Sequence, residues 1–250
     1  MTKTVNSPKL NKLKINDYPH LFLDIELCDN IPDGWDRDNP SSLDIACICV
    51  MTIDSQLTEN TVVHHNEGKS MTHEQIQVVC NQVKEISSQG GKFITWNGLG
   101  FDMQLLDKID NTLKQLILSE HHIDLMFHFT RKKGYMIGLN KVSQGFSIGE
   151  KTMTGLDAVK LWAKGEFQKV IDYNIKDVEL LRDIYYKVIE TSKIKWLSGN
   201  HNICYLNVDI SQLSVDNSLN IPRPAEKDIS WMTKEHKRIC EWAWRVKPIV

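Results

Sequence analysis

The 250-residue sequence predicts an α/β fold in which a mixed β-sheet is flanked by helices. Two observations predict this class: short runs of β-forming residues dominate the first hundred residues, and helical patterns dominate the rest. Strands followed by a strand-turn-helix unit and then by helices indicate a layered sheet rather than a helix bundle. With 41% hydrophobic and 25% charged residues, the chain can bury a core, and intrinsic disorder and collagen-like or mucin-like repeats are excluded.

Four strands are predicted in the first hundred residues, each rich in β-formers and bounded by turn residues. They cover His20–Leu27, Leu43–Ile53, Asn60–His65 and Lys92–Trp96. The second and third are expected to be antiparallel neighbours, because only a short connection separates them. The loop Cys28–Ser42 is longer and more acidic than a strand connection needs, so we expect it to narrow access to one end of the sheet.

The first predicted helix, Thr72–Ser88, has a Thr N-cap, apolar residues at helical spacing and two glycines beyond its end. A turn at Asn97–Gly100 leads into a second helix, Phe101–Ile109. Later helical patterns cover residues 112–119, 139–144, 155–163 and 167–189. After residue 190 the sequence predicts a hairpin at 194–210, a proline-containing linker at 221–224 and a closing helix at 232–244 that docks on the core.

The charge is near zero overall and uneven along the chain. The formal net charge is −2, which argues against a histone-like protein that holds nucleic acid by bulk positive charge. Ten acidic residues and one arginine lie between Asp17 and Glu59, whereas thirteen basic and eight acidic residues lie between Arg131 and Asn200. A local basic track of this kind is compatible with a nucleic-acid partner.

Neither a membrane span nor a secretory signal is predicted. No apolar run approaches the ~18 residues that a span requires, and the first sixteen residues contain no apolar signal core. The lysine-rich N-terminus is compatible with an organellar presequence, but a disordered basic arm is the favoured interpretation. The six cysteines contain no C-x-x-C pair, so we expect free thiols and a reducing, cytoplasmic location.

Three groups of acidic residues are candidates for chemistry. Asp24 and Glu26 are two apart in a strand and share a face, where a metal ion would relieve their repulsion; a solvated strand end is the alternative. Asp102 follows the glycine turn, where it could equally complement a helix dipole. Tyr173 and Asp177 are four apart and stack on one helix face, a spacing that also occurs by chance.

Taken together, these segments resemble the ribonuclease-H-like 3'-5' exonuclease superfamily, the DnaQ-like or DEDD enzymes, in the subgroup with Tyr in the third motif. FLDIE at 22–26, TWNGLGFD at 95–102 and YNIKDV at 173–178 carry the resemblance. HIDLM at 122–126 and residues 155–174 look like the stand-alone branch related to the exonuclease domains of family-B polymerases. The resemblance covers roughly residues 20–190.

The resemblance implies a ribonuclease-H-like mixed five-stranded sheet flanked by helices. It implies an exonuclease domain at 20–190, and the sequence pattern outside it predicts a basic arm at 1–19 and an extension at 191–250 packed on the core. It also implies two Mg²⁺ or Mn²⁺ ions ligated by four carboxylates, those of Asp24, Glu26, Asp102 and Asp177. Oxygen-only ligands favour these ions over zinc. By the same similarity, Tyr173 would position the attacking water.

The implied substrate is a single-stranded 3' end of DNA or RNA, shortened with release of nucleoside 5'-monophosphates. Asn97 and Phe101 would shape the pocket for the terminal nucleotide. Lys151 is a candidate for phosphate binding, with a solvated lysine as the alternative. The same alternative applies to the other candidates for phosphate contact, Arg131, Lys132, Lys133, Lys141, Lys160 and Lys164. Two other functions stay open: a non-catalytic nucleic-acid-binding module on the same fold, and a structure-selective endonuclease with the same metal site.

Competing motifs are weaker. G-x-S-x-G at 145–149 matches a hydrolase nucleophile elbow, but the preceding segment looks helical, so helix termination is favoured. His64-His65 and His121-His122 cannot easily chelate one ion, because neighbours in a strand point to opposite faces. Asp124 either caps a helix or belongs to the site. The tryptophans that could stack on bases, with core packing favoured for the second, are Trp96, Trp162 and Trp196.

Overall fold

Six strands form the main sheet in the described part of the chain. The computed structural model describes residues 3–6, 18–32, 43–66 and 68–247. The strands are β1 (Lys3–Asn6), β2 (His20–Leu27), β3 (Ile45–Ile53), β4 (Thr58–His65), β5 (Lys92–Thr95) and β6 (His122–Asp124). Their order across the sheet is β1-β4-β3-β2-β5-β6. β1 to β4 pair antiparallel, and β5 and β6 run parallel to β2, so the sheet is mixed.

The predicted five-stranded mixed sheet, flanked by helices, is confirmed as β2 to β6. A further strand, β1, pairs antiparallel with the edge strand β4 between Lys3–Asn6 and Thr58–Thr61. The sequence assigned this segment to the N-terminal arm, because four residues without alternation carry no strand signal. Residues 7–17 of the arm and 33–42 of the acidic loop lie outside the described residues.

Ten α-helices lie in the described residues. They are α1 (His73–Ser88), α2 (Asp102–Ile109), α3 (Lys114–Ile117), α4 (Leu125–Lys133), α5 (Leu139–Phe146), α6 (Gly155–Ala163), α7 (Phe167–Thr191), α8 (Val215–Leu219), α9 (Lys234–Cys240) and α10 (Trp242–Arg245). The predicted start of α1 is confirmed, because Thr72 and Gln75 form a reciprocal capping box. No helix in the described ranges is long and apolar enough to cross a membrane.

The sheet separates two apolar cores, because successive side chains of a strand point to opposite faces. Leu21 and Leu23 of β2 pack in the core formed with α1 and α2. Phe22 packs in the other core, where its ring lies edge-on to Tyr185 of α7 at a centroid distance of 5.7 Å. Even-numbered residues of β2 therefore face α7.

Two elements in the middle of the chain, β6 and α4, were not predicted. The closing helix differs from its prediction. β6 has three residues, too few for a periodic pattern. All seven residues of α4 from Leu125 to Arg131 are buried, so this part of the helix lacks amphipathic spacing. The helix expected at 112–119 is a 3₁₀ turn followed by the four residues of α3. The closing helix is divided at Glu241 into α9 and α10.

The segment after residue 191 packs on α4 through a buried arginine. A predicted hairpin is present as β7 (Lys193–Leu197) and β8 (Ile203–Asn207), which form a separate two-stranded sheet. The Arg131 guanidinium donates hydrogen bonds to three backbone carbonyls, those of Leu219, Ile221 and Ala243. Arg131 is only 6% exposed, so the expectation that it contacts phosphate is wrong.

Candidate metal centre

Three carboxylates from β2 and α7 meet at the α7 side of the sheet. Asp24 and Glu26 share the β2 face turned toward α7, and Asp177 projects from that helix. One possible ligand atom from each of the three lies within 4.8 Å of the others. The predicted proximity of the first and third motifs is thus present, although 151 residues of sequence separate Glu26 from Asp177.

Asp102 joins this group through the backbone of β2. β5 pairs with β2 only over His20–Phe22, so the backbone N–H of Ile25 lies beyond that pairing and donates to Asp102 Oδ1 at 3.0 Å. Asp102 is the first residue of α2 and is buried. It lies outside the three-residue cluster of possible ligand atoms, but it is close enough for its charge to raise the pKa of Glu26.

Burial raises the pKa of every carboxyl in the group, and repulsion by neighbouring carboxylates raises it further for Asp24, Glu26 and Asp102. The pKa of Asp24 rises to about 7, chiefly because the group is buried and then because Asp177 is near. Burial is also the main cause of the raised pKa values of Glu26, Asp102 and Asp177. Such a set of carboxylates is fully ionised at neutral pH only when a cation compensates its charge.

Lys151 supplies positive charge beside the cluster. Its Nζ donates to Asp177 Oδ2, and to the hydroxyl of Tyr173 at 3.1 Å. The loop that carries it is fixed by a 2.9 Å hydrogen bond from the Lys151 backbone N–H to Asn140 of α5. Burial alone would lower the pKa of Lys151, but Asp177 and Asp24 outweigh it and raise that pKa. Tyr173 is itself buried, and burial raises its pKa.

Asn174 orients Asp24 and was not identified from the sequence. Its amide Nδ2 donates to Asp24 Oδ2 at 2.8 Å and to the Asp24 carbonyl at 3.1 Å. Its Oδ1 accepts from the thiol of Cys47 at 3.7 Å. A sequence signal was available, because Asn174 precedes Asp177 by three residues and shares its helix face.

Asp124 is buried and stabilises the turn between β5 and α2 through hydrogen bonds. Its carboxylate accepts hydrogen bonds from the backbone N–H groups of Asn97 at 3.0 Å, Leu99 at 2.8 Å and Phe127 at 3.0 Å. Burial raises its pKa to about 6, against the effect of these hydrogen bonds. Asp124 therefore caps α4 and also stabilises the turn that positions Asp102.

The two predicted pocket residues lie on this turn. Asn97 has a left-handed backbone with φ of +69°, and its buried Oδ1 has no hydrogen-bond partner among the described residues. A Cβ on Gly98 would lie 2.4 Å from the hydroxyl of Thr95, so the turn requires glycine there. Phe101 is half-buried and directly precedes Asp102. The turn thus places Asn97 and Phe101 on the segment that leads to the carboxylates.

The remaining motifs have structural roles. Ser147 of the G-x-S-x-G motif is the left-handed C-cap of α5 and follows no strand, so the helix-termination interpretation is confirmed. His122 is buried and contacts Thr95 Oγ1 and the carbonyl of Ile117, both at 2.8 Å. Trp162 and Trp196 are buried in the cores, as favoured for the first and not foreseen for the second.

The residues present fit a divalent cation. Asp177 Oδ1 is buried and has no hydrogen-bond partner in the described structure, which leaves one carboxylate oxygen available beside Asp24 and Glu26. All possible ligand atoms of the cluster are carboxylate oxygens, which hard cations such as Mg²⁺ and Mn²⁺ prefer.

Comparisons with known proteins show which protein family the fold of this chain resembles. A family model described as the RNase H superfamily matches residues 21–189. A search of curated proteins gave no match. The chain is similar to the family B DNA polymerase of the hyperthermophilic archaeon Pyrobaculum calidifontis, with 18% identity and a TM-score of 0.51 over 69% of this chain and 24% of the polymerase.

A second similar structure is E. coli exonuclease I in complex with a dT13 oligonucleotide. It is 12% identical, with a TM-score of 0.33, over 68% of this chain and 44% of exonuclease I. The chain thus spans about a quarter of the polymerase it matches and less than half of exonuclease I.

Proposed function

The chain belongs to the RNase H superfamily, and on this premise we propose that it is a metal-dependent 3'-5' exonuclease. Its substrate would be the single-stranded 3' end of DNA or RNA, and its products nucleoside 5'-monophosphates. The observation that carries the proposal is the buried cluster of Asp24, Glu26 and Asp177, with Asp102 beside it.

The proposed cofactor is a pair of Mg²⁺ or Mn²⁺ ions. Asp24, Glu26 and Asp177 would hold them, with Asp102 as the fourth carboxylate. Divalent ions in such a site activate a water molecule and stabilise the leaving 3' oxygen. Asn174 would contribute by fixing the rotamer of Asp24, because its amide holds both the carboxylate and the carbonyl of that residue.

Tyr173 and Lys151 are proposed to act on water and phosphate. The Tyr173 hydroxyl accepts a hydrogen bond from Lys151 and lies within hydrogen-bonding distance of Asp177, so it stands beside a proposed ligand carboxylate, where an attacking water would be oriented. Lys151 is partly exposed, with its ammonium beside Asp177, and a phosphate of the substrate would compete for that ammonium. We therefore assign Lys151 to substrate phosphate and Tyr173 to the water.

Asn97 and Phe101 are proposed to form the pocket for the terminal nucleotide. The unpartnered Asn97 Oδ1 is an acceptor, and the half-buried ring of Phe101 offers a stacking surface. The hydrogen bonds to Asp124 would hold Asn97 and Phe101 in place, because they fix the backbone at Asn97 and Leu99.

The test is a shortening assay with a single-stranded oligonucleotide labelled at its 5' end. The proposal predicts a ladder of 5'-labelled products and free nucleoside 5'-monophosphate with Mg²⁺ or Mn²⁺, and no reaction in EDTA. Asp24→Ala and Asp177→Asn should both abolish shortening. Asp172→Asn is the matched control, because Asp172 is exposed on the same helix.

The same assay separates the two alternatives. A non-catalytic module would bind the oligonucleotide without turnover. An endonuclease would cut a circular single strand, which a 3'-5' exonuclease leaves intact. Parallel reactions on DNA and RNA of one sequence identify the preferred sugar, since only RNA presents a 2'-hydroxyl to the pocket.

A further inference from the structure

The β7–β8 hairpin has one face in the core and one face turned outward. Its inner side chains, which pack against α5 and α7, are Ile194, Trp196, Cys204 and Leu206. The six outward side chains form three cross-strand pairs, Lys193 with Asn207, Lys195 with Tyr205, and Leu197 with Ile203. We call these six residues the outer hairpin face.

The outer hairpin face is basic and aromatic. It carries two lysines and no carboxylate, and neither lysine forms a salt bridge with any described residue. Lys193 Nζ lies 4.8 Å from the centre of the Tyr205 ring. Tyr205 is 58% exposed and Ile203 54% exposed, which is unusual for large apolar side chains next to each other. Phosphates and unstacked bases match this combination of ammonium groups and an exposed ring.

The outer hairpin face is connected to the candidate metal centre through α5. A Cβ on Gly145 would lie 2.4 Å from the backbone of Trp196, so α5 packs directly on β7. Lys195 Nζ lies 5.9 Å from the ring of Phe146, the last residue of α5. Five residues further along, Lys151 contacts Asp177. Five residues span no more than about 17 Å, so one polynucleotide of modest length can reach both regions.

We propose that the outer hairpin face binds single-stranded nucleic acid upstream of the 3' end that occupies the carboxylate cluster. Lys193 and Lys195 contact phosphates, and a base stacks on Tyr205. This inference rests on the proposed function. It gives a role in substrate binding to two of the thirteen basic residues between Arg131 and Asn200. Non-specific single-strand sites commonly combine a basic track with such stacking residues and cover about 4–16 nucleotides.

The test compares fluorescein-labelled dT15 and dT2 in anisotropy titrations in EDTA, at several salt concentrations. The variants are Lys193→Gln with Lys195→Gln, and Tyr205→Ala. Removing two phosphate contacts should lower the slope of log affinity against log salt by about 1.4, and losing one stacked base should weaken dT15 binding about tenfold. Binding of dT2, which leaves no upstream nucleotide for the hairpin once its 3' end occupies the cluster, should change less than twofold.

A matched double variant controls for net charge. Lys169→Gln with Lys187→Gln removes two lysines that pair with Glu166 and Glu190 on the exposed surface of α7. It should leave dT15 affinity and the salt slope unchanged. The proposal is overturned if wild type fails to bind dT15, if the hairpin variants bind it as wild type does, or if the control loses as much affinity.

A turnover measurement with Mn²⁺ separates this proposal from the proposed function. The hairpin variants should raise the KM for dT15 about tenfold and leave kcat, and all constants for dT2, near wild type. If wild type binds dT15 through the hairpin but cleaves nothing, the proposed function fails and the hairpin site stands. If wild type cleaves dT15 and the hairpin variants equal it in KM, the hairpin site alone fails.

Discussion

Asp24 is the residue at which the requirements of a metal centre and of stability oppose each other. Burial and then the charge of Asp177 raise its pKa to about 7, above the ordinary value of 3.8. The folded protein therefore binds a proton at Asp24 more tightly than the unfolded chain does. Stability from this group is complete at low pH and is lost as pH rises from about 4 to about 7. A bound cation would remove that cost.

Asp24→Asn should consequently stabilise the metal-free protein. In EDTA at pH 8 we expect a free energy of unfolding about 1–2 kcal/mol above wild type, because the substitution removes a buried charge. At pH 5 the difference should be smaller, since the wild-type carboxyl is then mostly protonated. Urea unfolding at the two pH values measures this, with Asp172→Asn as the control. An Asp24→Asn variant less stable than wild type at pH 8 would contradict the assignment.

Asn174 should affect metal affinity rather than chemistry. Asn174→Ala removes both hydrogen bonds to Asp24, and losing an outer-shell partner of a ligand typically weakens metal binding 10–100-fold. Calorimetric titration with Mn²⁺ measures the effect without a substrate. Cys47→Ala is the control, because it removes the thiol on the other side of Asn174 and leaves Asp24 untouched. An affinity within twofold of wild type for Asn174→Ala would show that Asp24 needs no such support.

At the scale of elements, the connection between β5 and α2 is fixed by one side chain. Asp124 accepts three backbone N–H groups around a turn that contains a left-handed Asn97 and a tightly packed Gly98. In Asp124→Asn the amide nitrogen would face these donors and leave at least one buried N–H unsatisfied. We expect a loss of about 2 kcal/mol or more in the free energy of unfolding, measured by urea denaturation at pH 7.

The control for that measurement is Asp157→Asn, which alters a capping carboxylate at the exposed start of α6. It should cost less than Asp124→Asn, because its backbone partner is open to water. Equal losses in the free energy of unfolding for the two variants would mean that the burial of Asp124 adds no stability.

The predictability of the elements followed their periodicity. α1 and α7 are long helices with apolar residues at helical spacing, and β2 is a continuous run of β-forming residues. The sequence therefore predicted all three elements. The sequence did not predict α4, because its residues from Leu125 to Arg131 are all buried, or β1, because that strand depends on pairing with the edge of β4. Local patterns carry no information about either cause.

The candidate site was predictable in its carboxylates and not in their partners. Spacing and the resemblance identified Asp24, Glu26 and Asp177, which the fold brings together. The contact of Lys151 with Tyr173 joins residues 22 apart, with α6 between them, and the bond from Asn174 to Asp24 spans 150 residues. Such contacts are set by tertiary packing, which one sequence does not expose.

At the scale of the whole molecule, Arg131 attaches the proposed 191–250 extension to the proposed 20–190 catalytic domain. Its guanidinium contacts carbonyls in three places along the extension, at Leu219, Ile221 and Ala243. It also lies 5.9 Å from the centre of the Trp244 ring. The described part of the extension is therefore coupled energetically to α4.

Arg131→Met should lower the free energy of unfolding by about 3 kcal/mol or more, because it leaves buried carbonyls without donors. Lys132→Met, at an exposed position one residue later, should change it by less than about 0.5 kcal/mol. Urea denaturation followed by tryptophan fluorescence measures both. A wild-type-like Arg131→Met would contradict the coupling of the extension to the core.

The proposed activity depends on the cluster of Asp24, Glu26 and Asp177, which would make this chain a metal-dependent nuclease acting from the 3' end. The most direct measurement is the rate at which wild type and Asp177→Asn shorten a 5'-labelled single strand with Mn²⁺, with Mg²⁺ and in EDTA. We expect progressive shortening by wild type with either metal, none in EDTA, and a rate at least about a thousandfold lower in Asp177→Asn. An intact oligonucleotide after incubation of wild type with both metals, or an unchanged rate in Asp177→Asn, would contradict it.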